Sequence, residues 1–249
     1  RAGGMRLLGP NCMGALNAPA RFYGTFASAL EDGVPPPGRI SIASQSGGYG
    51  GYLFRHLVLR GLGVAQWVTT GNEADIDVGE ALHWMAGQDN NDVLVAYIEG
   101  LHSRDNLIAA FELARARRKP VVVMKVGRTS EGAIAAASHT ASLTGQDQVY
   151  DALFEEYGVY RARTTDELLD VTSALAKGRL PTGPRIGVIS ISGGVGVQIA
   201  DFISDEGLEL GTVPDHTQAA LRDLVPACSP RNPIDMTGLV TTNHDIMEK

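Results

Sequence analysis

The chain of 249 residues is 44% hydrophobic and 20% charged, the balance of an ordinary soluble globular protein with length enough for two domains. Its net charge of −7 comes without any run of lysine or arginine, which argues against a nucleic-acid or anionic-membrane binder. No apolar stretch approaches the length of a membrane span, and the two cysteines, Cys12 and Cys228, lie far apart without metal-ligand spacing, as free thiols of a reducing cytosol do.

In chain order, the opening RAGGMRLLGPNC (1–12) reads as the tail of something upstream, and VPPPG (34–38) as a rigid polyproline-type connector. Short β-branched runs bounded by turn residues then recur: ISIAS (40–44), VAQWVTT (64–70), VLVAYIE (93–99) and VVVMKVG (121–127). Such runs predict strands buried on both faces. Helical spacing fills the intervals over 51–60, 78–86 and 104–118, and Lys119-Pro120 stops the last of these before its strand. Two further helices are expected over 146–156 and 165–176. The stretch KGRLPTGP (177–184) reads as a linker. After it the pattern restarts with a strand over 186–192, a glycine turn, a helix over 195–206, a short strand over 208–213 and a helix over 215–225. The turns SQSGGYGG (44–51) and SISGGVGV (190–197) occupy equivalent places. The expectation is therefore an α/β protein of two related domains, each a doubly wound parallel sheet covered by helices.

The motifs sit at the ends of these strands. In SQSGG a strand ends at Ser44 and glycines lead into a helix start. Free N–H groups and the helix dipole make an anion site there, with the Ser44 and Ser46 hydroxyls as further donors. A tight turn that binds nothing has the same spelling. Ser44 stands where a nucleophile elbow needs glycine, and no dinucleotide fingerprint is spelled. TTGNEADID (69–77) follows the next strand and carries Glu73, Asp75 and Asp77, acids that also suit the first turn of a helix. Glu99 closes an otherwise apolar strand at the edge where doubly wound sheets bind ligands. A carboxylate there is either solvated or holds a cation or an imidazole N–H. GRTSEGAIAAASHTASLTG (127–145) starts at the same edge and sets His139 among small residues and the hydroxyls of Ser138, Thr140, Ser142 and Thr144. An imidazole, a carboxylate to fix its tautomer and a helix-start anion site are the parts of a histidine that carries a phosphoryl group. His56, His83, His102, His216 and His244 lack such company and read as structural or solvent-facing.

GPNC (9–12), SQSGG (44–48), TTGNEADID (69–77), YIEG (97–100), the KP-VVVMKVGRTSEGAIAAASHTASLTG stretch (119–145) and SPRNPIDMTG (229–238) resemble the nucleotide-diphosphate-forming acyl-CoA synthetases, relatives of succinyl-CoA synthetase. The likeness keeps motif order essentially end to end. It implies two flavodoxin-like domains, 39–178 with the phosphohistidine loop and 185–249 as an incomplete second. Residues 1–38 are then the C-terminal remnant of a CoA-binding domain plus a linker. It implies that His139 is phosphorylated, that Glu99 pairs with it, and that the turn of Ser44, Gln45, Ser46, Gly47 and Gly48 receives the phosphoryl group. Ser138 and Thr140 join as phosphate ligands, and Gly71, Asn72 and Glu73 as supports of the substrate. No metal ligands are expected in the chain itself.

The implied reaction interconverts a small carboxylic acid, CoA and ATP with acyl-CoA, ADP and phosphate. CoA and ATP or ADP with Mg2+ would be bound mainly by a CoA-binding domain and an ATP-grasp domain or subunit, in a cytoplasmic oligomer. The chain by itself, read as a fragment of that larger protein, is expected to be inactive. In one departure His139 is followed by Thr140-Ala141-Ser142, where the family commonly has Thr-Gly-Ser, so that backbone position is less free. The competing readings are a non-catalytic regulatory or scaffold module, as in acetyltransferases fused to a synthetase-like region, and a flavodoxin-like electron carrier. Intact His139 and Glu99 favour the enzyme. An aromatic content of 6% and the lack of a flavin-sandwiching pair disfavour the carrier.

Overall fold

The computed structural model describes residues 3–31, 33, 34, 36–132, 134, 147–178 and 181–241. It divides into two compact units, Arg1–Arg179 and Leu180–Lys249, so the break falls inside the expected linker.

The first unit is built on a seven-stranded sheet. Its strands are β1 (Gly14–Asn17), β2 (Phe22–Thr25), β3 (Ile40–Ser44), β4 (Val64–Thr69), β5 (Val93–Ile98), β6 (Val121–Lys125) and β7 (Tyr160–Arg161). The order is β2-β1-β4-β3-β5-β6-β7. The five from β3 onward run parallel and, renumbered from one, give the flavodoxin order 2-1-3-4-5. Helices α1 (Gly47–Leu59), α2 (Val78–Ala86), α3 (Arg104–Ala116), α4 (Asp147–Tyr157) and α5 (Thr165–Lys177) cover it.

Both faces are sealed, which is why β3, β4 and β6 are buried at every position rather than at alternate ones. Val93 and Val95 of β5 point to one face with Leu53, Phe54 and Leu57 of α1 and Leu168 and Leu169 of α5. Leu94, Ala96 and Ile98 point to the other, with Leu82 and Met85 of α2, Phe111 of α3 and Phe154 of α4. The helix starts are those the sequence chemistry prescribes. Ser46, Asp77, Ser103 and Thr164 cap α1, α2, α3 and α5 through their side chains. The Thr164–Glu167 pair forms a complete capping box.

Two expectations are corrected here. Residues 1–38 belong to the first unit, because β1 and β2 extend its sheet as antiparallel strands, β1 pairing directly with β4. Within 1–12, no strand forms among the described residues. Instead this stretch lies along the loop after β4, with the N–H groups of Asn72, Ala74 and Ile76 donating to the carbonyls of Pro10, Gly9 and Leu7. Helix α1 also starts at Gly47 rather than near residue 51, because Ser46 caps it directly.

The second unit begins as the first does. β8 (Arg185–Ile186) and β9 (Ile189–Ser190) lead into α6 (Gly193–Asp205), then β10 (Glu209–Leu210), α7 (Asp215–Leu224) and β11 (Ile234–Asp235). β10 pairs parallel with β8, and β11 parallel with β9. The strand expected over 186–192 is split at Gly187–Val188, where the Asn232 side chain takes the place of a neighbouring backbone. Its amide oxygen accepts from Val188 N, and its NH2 group donates to the carbonyls of Ile186 and Gly211. The two glycine turns match atom for atom at one point. Ser44 Oγ donates to Ser46 O at 2.7 Å, and Ser190 Oγ donates to Ser192 O at 2.8 Å.

Candidate active site

The five parallel strands of the first unit present their carboxyl ends together. The chain leaves β3 toward β4 on one side, while β5 lies on the other. Between β3 and β5 is the point where the winding reverses, and there an open α/β sheet leaves a crevice. A cleft of 210 Å³ occupies it, lined by Asn11, Cys12, Met13, Phe26, Gln45, Ser46, Gly47, Gly48, Gly71, Asn72 and Glu99.

Each wall follows from its strand end. Ser46 caps α1, its Oγ accepting from Tyr49 N at 3.2 Å. The N–H groups of the helix's first turn have no partners within the helix, and those of Gly47 and Gly48 border the cleft. The space above Gly48 is open to at least 4 Å. Ser44 stands differently from expectation: its buried hydroxyl is committed to the Ser46 carbonyl and shapes the turn. Gln45, expected among the phosphate ligands, is also turned inward. Its Oε1 accepts from the N–H groups of Glu99 (2.5 Å) and Gly100 (3.1 Å), and its Nε2 donates to Gly100 O at 2.8 Å.

Glu99 is buried at 6% exposure, one residue past the end of β5. Beneath it, Lys125 ends β6 at 2% exposure. Its ammonium donates to Glu99 O at 2.9 Å and to Val126 O, and lies 4.6 Å from the centre of the Tyr150 ring. Burial pulls this amine down to about 8. Tyr97, two residues before Glu99, has its hydroxyl pKa raised, first by burial and then by the Glu99 charge.

Glu73, expected to support the substrate, lies buried behind the cleft. Its Oε1 accepts from Thr70 Oγ1 (2.7 Å) and Val78 N (2.8 Å). Burial raises its pKa against these bonds, and His102 Nε2 stands 3.8 Å from Oε2. It anchors the start of α2. Gly71 and Asn72 do reach the cleft, Asn72 Oδ1 accepting from Asn11 Nδ2 at 3.2 Å.

Ser138, His139 and Thr140 lie outside the described residues. Sequence reasoning missed four lining residues, Asn11, Cys12, Met13 and Phe26, because the segment before β3 was set apart from this sheet. Lys125 was missed too, although it had a signal. A lysine closing a strand buried on both faces has no water to reach and must have partners inside.

The model of the family described as succinyl-CoA ligase like flavodoxin domain matches residues 37–175. The chain belongs to this family. The matched flavodoxin domain includes β3 to β7 and the cleft wall from Gln45 to Gly48, Gly71, Asn72 and Glu99. The chain is similar to the acetate–CoA ligase (ADP-forming) I subunit alpha of Pyrococcus furiosus, 37% identical over 95% of this chain and 50% of that one. It is similar to the acetate–CoA ligase (ADP-forming) of Methanocaldococcus jannaschii, 35% identical over 95% of this chain and 33% of that one. Among solved structures it resembles the dinucleotide-forming acetyl-coenzyme A synthetase 1 of Candidatus Korarchaeum cryptofilum, in complex with phosphate and ADP. The TM-score is 0.85 at 36% identity, over 95% of this chain and 50% of that one. The chain thus spans half the length of the Pyrococcus furiosus alpha subunit and a third of the Methanocaldococcus jannaschii ligase.

Proposed function

We propose that this chain is the phosphoryl-carrying part of an ADP-forming acyl-CoA synthetase acting on a small carboxylic acid. The observation that carries the reading is a buried carboxylate, Glu99, bordering one cleft with the capped N-terminus of α1. A histidine phosphorylated there meets an acceptor for its ring N–H and donors for its phosphoryl oxygens. His139, on the segment that leaves β6 at the same sheet edge, is the residue assigned to that task. Its imidazole attacks phosphorus, the bond to the leaving oxygen breaks with its electron pair, and the ring becomes a phosphorylated imidazolium. Glu99 stabilises the positive ring through the other ring N–H and fixes which nitrogen attacks. The first-turn N–H groups of α1 and the Ser46 hydroxyl hold the phosphoryl oxygens. CoA and ATP or ADP with Mg2+ enter as substrates delivered by the CoA-binding and ATP-grasp parts of the complete enzyme.

Labelling tests this. The complete protein, incubated with γ-labelled ATP, is expected to take up phosphate in acid-labile, base-stable form, and His139→Ala to abolish it with folding intact. Glu99→Gln keeps shape and removes charge, and is expected to slow labelling about 10²- to 10⁴-fold, the range of positioned acid–base groups. Undiminished labelling of His139→Ala refutes the assignment.

A further inference from the structure

Glu99 occupies an unusual position in the sheet. Up to Ile98, β5 is held by the backbones of both neighbours: Gln45 N donates to Tyr97 O on the β3 side, and Val126 N donates to Ile98 O on the β6 side. At Glu99 the ladder stops, yet the residue is buried, and a buried peptide group without a partner is costly. Both of its backbone groups are taken by side chains. Gln45 reaches across from the end of β3 and accepts the Glu99 N–H. Lys125 reaches across from the end of β6 and donates to the Glu99 carbonyl. Each grip is itself fixed. The Gln45 amide makes three bonds to the Glu99–Gly100 backbone and also bonds the Glu73 carboxyl, so it cannot rotate without breaking all of them. The Lys125 ammonium also donates to Val126 O and packs on the Tyr150 ring, which leaves its head one place to sit.

We propose that Gln45 and Lys125 are positioning residues that hold the Glu99 peptide from opposite sides and so set where its carboxylate stands in the cleft. The proposal rests on the reading of Glu99 given above. It assigns Gln45 a task other than binding phosphate. Neither side chain touches the reacting atoms; each acts through the backbone of the residue that does. Clamping the peptide removes the motion about the Glu99 main chain that would otherwise swing the carboxylate, and misplacement by about 1 Å is enough to cost about 10²-fold in rate.

A double-mutant cycle on the complete enzyme tests it, reading the single-turnover rate of phosphorylation by ATP, the KM for ATP and the thermal midpoint. Gln45→Met keeps side-chain length and Lys125→Met shortens it by one atom, and both remove the hydrogen-bonding atoms. Each is expected to lower the rate constant by about 10²-fold with KM unchanged. In a Glu99→Gln background, where the carboxylate is already gone, the same substitutions are expected to cost less than about 3-fold, because residues that act through one another are not additive. A purely structural role moves the thermal midpoint equally in both backgrounds and gives no such coupling. If Gln45→Met does not fold, Gln45→Asn, which keeps the amide but withdraws it by one methylene, takes its place in the cycle, and if Lys125→Met does not fold, Lys125→Gln, one atom shorter and uncharged, takes its place. The full loss persisting in the Glu99→Gln background overturns the proposal, as does a rate near wild type in the single variants. If Glu99→Gln itself runs at the wild-type rate, the reading of the site falls. If it is slow while the Gln45 and Lys125 variants are fast, the proposal alone falls.

Discussion

Gly71→Ala should separate two costs that the cleft wall imposes. Gly71 follows β4 with φ at +61°, and a Cβ there would stand 2.3 Å from Pro10 O, 2.5 Å from Asn11 O and 2.7 Å from Asn11 C. All three are backbone atoms of the segment that brings Asn11 and Cys12 into the cleft. That segment cannot step aside cheaply, since Asn72 N and Ala74 N bond its Pro10 and Gly9 carbonyls at 2.9 Å each. Left-handed backbone costs an alanine about 1–2 kcal/mol, and overpacking adds about 1–3 kcal/mol. The expected loss is therefore about 2–5 kcal/mol, a large share of the roughly 5–15 kcal/mol that holds a domain together. Gly61→Ala is the control. Its φ is +72° and no atom lies within 4 Å of the added Cβ, so only the backbone cost of about 1–2 kcal/mol applies. Urea unfolding of both variants, followed by far-ultraviolet circular dichroism, gives the two numbers. Equal losses would refute the collision, and with it the close seating of residues 9–11 on the loop after β4.

Two further outcomes follow from single side chains. The Lys125 amine is lowered from 10.5 to about 8 by burial, with Asp147, Glu99 and Arg161 as the charges around it. Between those values the unfolded chain binds the extra proton, so stability should rise with pH across that window, by up to about 3 kcal/mol. Urea midpoints at pH 7.5 to 10.5 should show this rise in the wild type relative to Lys125→Met, and parallel curves would refute it. Asn232→Leu removes the three bonds that join β8, β9 and β10 and should destabilise the second unit by about 3 kcal/mol. Hydrogen exchange at the Val188 amide should accelerate accordingly; unchanged protection there would show that the side chain is not its partner.

The alternation of buried strand and helix was legible because periodicity and capping residues are local. Val78–Ala86 was read to the residue, since Asp77 caps one end and Gly87 closes the other. The alternation gave a parallel sheet covered by helices, and the flavodoxin-like domain came from the family resemblance. The strand ends, and with them Glu99 and the Ser46 turn, followed as well. What stayed hidden depends on contacts distant in sequence. Nothing in GALN says that it adds to the free edge of β4 or in FYGT that it pairs with GALN, because short strands carry little pattern and the β4 partner of GALN lies some fifty residues on. The choice between hydroxyls was equally invisible. Ser44 and Ser46 look alike in SQSGG, yet one bonds back to the turn and the other caps the helix.

The same limit explains how a ligand-binding edge can be rigid. At the winding reversal the strands on either side of the crevice part, and the backbone ladder must end so that N–H groups are left for a ligand. The peptide groups just below that edge are still buried and still need partners. In the first unit Gln45 and Lys125 supply them for Glu99. Both are buried polar residues at the end of an apolar run, where exposure cannot explain them. Long side chains can span the widening gap between strands where main chain cannot, and their fixed geometry carries the order of the sheet one residue further than hydrogen bonding between strands allows. Gln45 and Lys125, polar residues at the ends of doubly buried strands, are therefore better read as partners of the neighbouring strand end at Glu99 than as ligands of whatever the cleft binds.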